Sequence, residues 1–181
     1  FYITTSQFEG QTLWHERVRD IVAAWPLPML EWPGLGLPPL AVNTLYEKQK
    51  ALGLIESHLK YQSLAVRESL LVPMEQFAQI DCSKQARMTP EEVRRLYNLG
   101  FEIGGHSVNH PILSLCDPHE LTLETAGCRD ILEGITGGKV QHYAYPNGRP
   151  YKDYNQAHIE ALKAAGFQSA VSTASGRREA G

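Results

Sequence analysis

Residues 101–113 read F-E-I-G-G-H-S-V-N-H-P-I-L: a short apolar strand, a corner, and a turn closed by Pro111. His106 and His110 sit in the corner, and no other two of the seven histidines are spaced four apart. Neutral imidazole is a good ligand for zinc, copper, nickel and iron. Two rings on a rigid strand-to-loop corner can therefore hold two vertices of a metal site. Two structural histidines with satisfied nitrogens would show the same spacing, so spacing alone does not separate the readings. Gly104 and Gly105 add context, because glycine lets the backbone bend and approach its neighbours closely just before the first histidine.

Working outward, the second half of the chain alternates helix and strand. Thr89-Pro90-Glu91-Glu92 is a helix start, with Thr89 as cap, Pro90 in the first turn and Glu92 completing a capping box. Val93, Leu96 and Leu99 face the core and Gly100 ends the helix. The strand Phe101–Gly105 follows. Asp117-Pro118-His119-Glu120 repeats the start signal, for a helix that runs to Gly134 and buries Leu121, Cys128, Ile131 and Leu132. Val140–Tyr145 is the next strand and leads into a turn-rich loop, Tyr145–Pro150. Asn155–Ala165 is a helix with Ile159 and Leu162 inward and Gly166 as its stop, and Gln168–Thr173 is one more strand. Short connections between such units imply parallel strands and right-handed crossovers, in an α/β barrel or an open doubly wound sheet. In both, chemistry collects beyond the C-terminal ends of strands. His106, His110 and the Tyr145–Pro150 loop all follow strand ends and should share one rim.

The first half reads differently. Phe1–Thr5 is a strand candidate, entered with no polar lead-in, which predicts a piece of a longer protein. Thr12–Trp25 has helical spacing, with Thr12 as cap, Trp14 and Trp25 as core anchors, and Glu16, Arg17, Arg19 and Asp20 on a solvated face. Pro26, Pro28, Pro33, Pro38 and Pro39, with Gly34 and Gly36, mark an irregular excursion. Two helices follow. Asn43–His58 has Leu45, Leu52, Ile55 and Leu59 on one face, and Tyr61–Ile80 has Leu64, Leu70, Leu71, Met74 and Phe77. Pro73 should make the second start late, break or kink. Residues 13–80 thus form a helical insertion within a single domain spanning 1–181, and Ala174–Gly181 trails off without an element.

Composition bounds the function. Hydrophobic residues make up 43 % of the 181 and charged residues 20 %, a globular balance. A net charge of -3, with no basic stripe interleaved with aromatics, gives no support for nucleic acid as a partner. Cys82, Cys116 and Cys128 are too few and too irregular for a disulfide framework or zinc ribbon and read as ordinary thiols. No apolar run reaches membrane-spanning length and no signal peptide is visible.

Three stretches in order, G-G-H-S-V-N-H-P-I-L at Gly104–Leu113, Y-A-Y-P-N-G at Tyr143–Gly148 and A-A-G-F at Ala164–Phe167, resemble the polysaccharide deacetylase family. This is the NodB-homology group, also called carbohydrate esterase family 4. The likeness runs from about Thr89 to Gly176, and the opening F-Y-I-T-T-S resembles the family's second strand; within the family the chain resembles bacterial exopolysaccharide deacetylases. The resemblance implies an α/β fold, a distorted (β/α) barrel incomplete in this chain. It implies a divalent metal, most often zinc, on two histidines and an aspartate, with His106 and His110 matching the histidines. The family's Thr-Phe-Asp-Asp-Gly motif, source of the third ligand and the general base, has no counterpart here, nor does its late acid histidine. His15, His58, His119, His142 and His158 lie in no matching context; His119 and His158 read as exposed helix residues, and His142 as the entry to a strand. By match, the Asn147 main-chain N–H would help hold an oxyanion, and Tyr145 and Asn147 would contact substrate. Many relatives carry Tyr where Asn147 stands and Arg near Ala144; without the resemblance this stretch is an ordinary turn.

The implied reaction is hydrolytic deacetylation of an N-acetylated polysaccharide or oligosaccharide. These residues taken alone are expected to be nearly inactive. Two other readings keep the fold: a non-catalytic carbohydrate-binding or scaffold relative, and an amidohydrolase of a small cyclic amide. The compartment stays open between bacterial cytoplasm and cell envelope.

Overall fold

The computed structural model describes residues 1–82 and 88–175. The chain divides into two compact units, one of Phe1–Glu9 with Arg87–Gly181 and one of Gly10–Ala86. The last six residues of the chain, part of the tail expected to lack an element, lie outside the described residues.

The first unit is α/β. Its strands are β1 (Tyr2–Ile3), β4 (Gly104–Gly105), β5 (His142–Ala144) and β6 (Ser169–Val171). They form one sheet in the order β1-β4-β5-β6, every pair parallel, with Tyr2 opposite Gly104, Gly105 opposite Tyr143, and Ala144 opposite Val171. The alternation read from the sequence thus gives parallel strands, but shorter ones. Phe101 and Glu102 are exposed, and β4 keeps only the two glycines.

The helices between them start where the capping chemistry places them. α4 (Pro90–Asn98) has Thr89 at its N-cap, with the Thr89 hydroxyl and the Glu92 carboxylate each taking the other's main-chain N–H. Gly100, at φ +88°, turns the chain out. Val93 is buried, whereas Leu99 is 66 % exposed, because it sits past the last helical turn at the C-cap. Asp117 caps α5 (Pro118–Thr122), and α6 spans Cys128–Thr136. The single helix expected here is interrupted by a π-helical turn, Leu123–Gly127, and it ends at Gly137 in the left-handed region, not at Gly134. The π-turn shifts the register, so Cys128 and Leu132 are buried while Ile131 faces outward. Asn155 caps α7 (Gln156–Ala164), which carries Leu162 into the core.

The second unit holds α1 (Trp14–Ala24), α2 (Leu45–Leu59), α3 (Leu64–Ala78) and a small antiparallel pair, β2 (Met29–Leu30) with β3 (Leu40–Ala41). Trp14 and Trp25 are core residues here, as their helical spacing predicts. Thr12 is not the cap of α1: its hydroxyl donates to the Cys82 carbonyl at 2.5 Å, and Leu13 occupies the N-cap. Arg17 is not on a solvated face either. It is buried, with Nε and Nη2 on the Glu75 carboxylate at 2.6 and 3.1 Å and Nη1 on Glu68 at 2.5 Å. Ser63 caps α3, so the helix begins later than Tyr61, and it runs through Pro73 to Ala78. Leu45 and Leu64, each in the first position of its helix, are exposed, as is Phe77 near the end of α3.

Candidate functional site

The two glycines of β4 serve close approach, not a bend. Neither has a positive φ. A Cβ on Gly104 would stand 2.6 Å from the Tyr2 ring and 2.9 Å from the His142 carbonyl; one on Gly105 would meet Cys128 Sγ and the Tyr143 ring at 3.2 Å. The turn itself falls on Ser107 (φ +65°) and His110 (φ +55°), side-chain-bearing residues in the left-handed region. Such backbone costs free energy and persists where the surroundings over-determine it.

Those surroundings are hydrogen bonds. The His106 N–H donates to Ile3 O at 2.9 Å, and the Thr4 hydroxyl donates to His106 O at 3.0 Å. Thr5 and Ser6 donate their N–H groups to the carbonyls of Ser107 and Val108. The Ser107 side chain, fully buried, accepts the His110 N–H at 2.9 Å. Glu124, in the π-turn, takes the N–H groups of Val108 and Asn109 on Oε2 and the Asn109 side-chain amide on Oε1, each at 2.8 Å.

The result is a pair of imidazoles with converging nitrogens. His106 Nδ1 lies 2.8 Å from Ala144 O. A carbonyl only accepts, so Nδ1 carries the proton and Nε2 presents a bare lone pair. His110 Nε2 stands 3.1 Å from that atom, with the rings steeply inclined at 78°. Two imidazole nitrogens at the usual zinc distance and a tetrahedral angle are about 3.3 Å apart. The pair therefore fits two vertices of a zinc-like ion, and equally a shared proton. Burial pushes the His106 pKa below its ordinary value, against the opposing pull of the Ala144 carbonyl, which keeps the ring neutral and ligand-competent to lower pH. Among the described residues no group of three His, Cys, Asp or Glu side chains is placed to hold a metal ion. Burial pushes the nearby Cys128 thiol up to about 12, so in the absence of a metal it stays protonated.

The Tyr145–Pro150 loop leaves β5 at the residue after its last, directly after the Ala144 carbonyl that orients His106. Tyr145 is 7 % exposed and stacks on Tyr154 with ring centroids 3.7 Å apart. Asn147 and Gly148 both take positive φ (+60° and +67°), forming a tight turn tied to Thr173, whose hydroxyl donates to Asn147 O and whose N–H donates to Gly148 O. Among the described residues no acceptor takes the Asn147 N–H.

The other histidines go elsewhere. His119 is exposed, as expected, but His158 is buried. Its Nε2 donates to Leu113 O at 3.0 Å and its Nδ1 accepts the Asn155 N–H at 3.1 Å, tying α7 to the turn after the histidine corner. His142 begins β5, with Nε2 at 2.6 Å from Glu102 and Nδ1 at 2.6 Å from the Ser169 hydroxyl. Two buried carboxylates escaped the sequence reading: Glu124, and Asp153, which accepts the Arg149 N–H at 2.9 Å. Glu124 had a signal, since it lies on the apolar face defined by Leu121, Thr125 and Cys128. Asp153 sits in a loop and had none.

A family model described as polysaccharide deacetylase matches residues 74–170, more than half of the chain. A solved polysaccharide deacetylase from Bacillus cereus is similar at 23 % identity and a TM-score of 0.45, over 51 % of this chain and 28 % of that one. The Streptococcus pyogenes deacetylase PplD, solved in complex with acetate, is similar at 20 % identity and a TM-score of 0.42, over 55 % and 47 % of the two chains. The chain therefore matches about a quarter to a half of the length of these solved structures.

Proposed function

Because the chain belongs to the polysaccharide deacetylase family, we propose that it provides the histidine side of a metal-dependent site that hydrolyses N-acetyl groups on a polysaccharide or oligosaccharide. The observation that carries this reading is the 3.1 Å convergence of His106 and His110 Nε2, with the His106 tautomer set by Ala144 O. These two residues would hold the divalent metal, zinc being the best match to the donors. Such an ion supplies the positive charge that polarises an acetyl carbonyl and acidifies a water.

The remaining roles fall to the loop. The Asn147 N–H is offered by a left-handed turn and would receive the developing oxyanion. Gly148 keeps that turn tight, because any Cβ there would lie 3.0 Å from the Thr173 main-chain nitrogen. Asn147 and Tyr145 would meet the substrate. With little of its ring exposed, Tyr145 acts mainly by holding the loop against Tyr154. Glu124 is no candidate for the general base, since both its oxygens are engaged by the corner.

One observation favours a second reading, a non-catalytic carbohydrate-binding or scaffold relative: the 3.1 Å approach of the two Nε2 atoms suits a shared proton as well as a metal. Acetate release from N-acetylated chito-oligosaccharide by the full-length protein separates the two. Deacetylation predicts activity that is lost on chelation, regained with zinc, and reduced on the order of 100-fold or more in His110→Ala. Turnover indifferent to both chelator and His110→Ala would refute the metal reading, and sugar binding without acetate release would leave the scaffold reading in its place.

A further inference from the structure

We propose that Glu124 is the positioning residue of the histidine corner: its buried carboxylate holds the left-handed loop that brings the His110 ring to His106. Four observations converge on it. Its two oxygens collect three hydrogen bonds at 2.8 Å, all from Val108 and Asn109, the two residues immediately before His110. It is 6 % exposed, so those bonds face little competition from water. The residues flanking the bonded pair, Ser107 and His110, are the ones with positive φ. Finally, Glu124 lies in the π-helical turn Leu123–Gly127, an extra residue in the helical path.

The physics links these facts. A left-handed residue beside ordinary backbone turns successive N–H groups to one side, forming a small concavity that receives an anion. Here the N–H groups of Val108 and Asn109 both point at Glu124 Oε2. Without that acceptor two partly buried donors lose their partner, and the strained backbone at Ser107 and His110 loses a main compensation. The Ser107 hydroxyl bond to the His110 N–H remains, but it joins the loop only to itself. The π-turn supplies the reach: π-turns are inserted in helices where a side chain must be re-aimed, often at functional sites.

The consequence for ligation rests on the metal reading above; the consequence for loop geometry does not, so two readouts separate them. The first is the nuclear Overhauser contact between the His106 and His110 rings, whose centroids are 4.7 Å apart, in metal-free protein. The second is zinc affinity by calorimetric titration of zinc(II) alone. Glu124→Ala is expected to lose the ring contact and to weaken zinc binding about 10- to 100-fold, the range seen when a group that orients metal ligands is removed. Glu124→Gln is expected to restore both to within about threefold, because one amide oxygen still serves the two main-chain donors and the Asn109 amide can turn to face the new NH2 group. Should Glu124→Ala fail to fold, Glu124→Asp carries the test: it keeps the charge but withdraws the carboxylate by one methylene, and the ring contact should weaken. A folded Ala or Asp variant with wild-type ring contact and wild-type zinc affinity overturns the proposal. Wild-type protein that takes up no zinc overturns the metal reading instead, and Glu124 is then judged on the ring contact alone.

Discussion

Gly105→Ala tests whether β4 is a glycine strand because its neighbours leave no room. The substitution is backbone-neutral, since Gly105 has no positive φ. The new methyl would lie 3.2 Å from Cys128 Sγ, 3.2 Å from Tyr143 Cδ2 and 3.3 Å from Phe167 Cζ. Carbon contacts are optimal at about 3.5–4.0 Å, so three neighbours must each give by a few tenths of an ångström. All three are buried, two of them with no exposure at all, so none can swing into solvent. Overpacking of this kind costs about 1–3 kcal/mol, and the stiffer unfolded chain returns about 0.4–1 kcal/mol. The net expectation is a loss of about 1–2 kcal/mol. Gly134→Ala in α6 is the control, because nothing lies within 4 Å of its added methyl and a helical glycine is worth about 0.5–1 kcal/mol less than alanine. The pair should therefore shift stability in opposite directions. Urea denaturation with hydrogen exchange read at the β5–β6 ladder measures both. A Gly105→Ala protein as stable as the wild type would refute the reasoning, because it would mean that the core around the strand relaxes freely.

Two further outcomes follow from ionisable groups. Burial lowers the His106 pKa, so the folded state binds fewer protons than the unfolded state just below 6.5; metal-free protein should then lose stability as pH falls through that window. His106→Leu should flatten this slope between pH 7 and 5, and parallel urea midpoints for the two proteins would contradict the assignment. In the other unit, Arg17→Ala leaves the largely buried Glu75 without its partner, while Glu68 is open enough to be solvated. The expected cost is about 3 kcal/mol. It is readable by tryptophan fluorescence because Trp14, Trp25 and Trp32 all lie in that unit, and a loss under about 1 kcal/mol would count against a structural ion cluster.

Much of the α/β unit is legible in the sequence because its signals are local. Thr89, Glu92, Asp117, Gly100 and Gly166 act within a few residues of themselves, and the structure shows each cap and stop in place. The parallel sheet follows from the alternation of those elements. What the sequence hides depends on distant partners. Arg17 looks like a surface charge until Glu68 and Glu75 arrive from another helix. His158 looks exposed until Leu113 O takes its ring. The i, i+4 spacing of His106 and His110 places both in one corner, but the left-handed φ values at Ser107 and His110 that make their nitrogens meet have no residue signature, since glycine or asparagine would be the usual choice.

β1 and β4 are neighbours in the sheet, yet Phe1 and Glu102, which meet beside them, stand 101 positions apart in the chain. Closing a flexible loop of that length costs about 4 kcal/mol in chain entropy. During synthesis β1 emerges long before the strand it pairs with. At about 5–20 residues per second it waits roughly 5–20 s for β4 to leave the ribosome. For that interval β1 lacks β4, while the α1–α3 segment between the two strands has all its own helix contacts within reach. The nascent chain should therefore pass through a stage in which these helices are built and the β1–β4 pairing is not, and a β1 edge left waiting for β4 is open to pairing with the wrong strand.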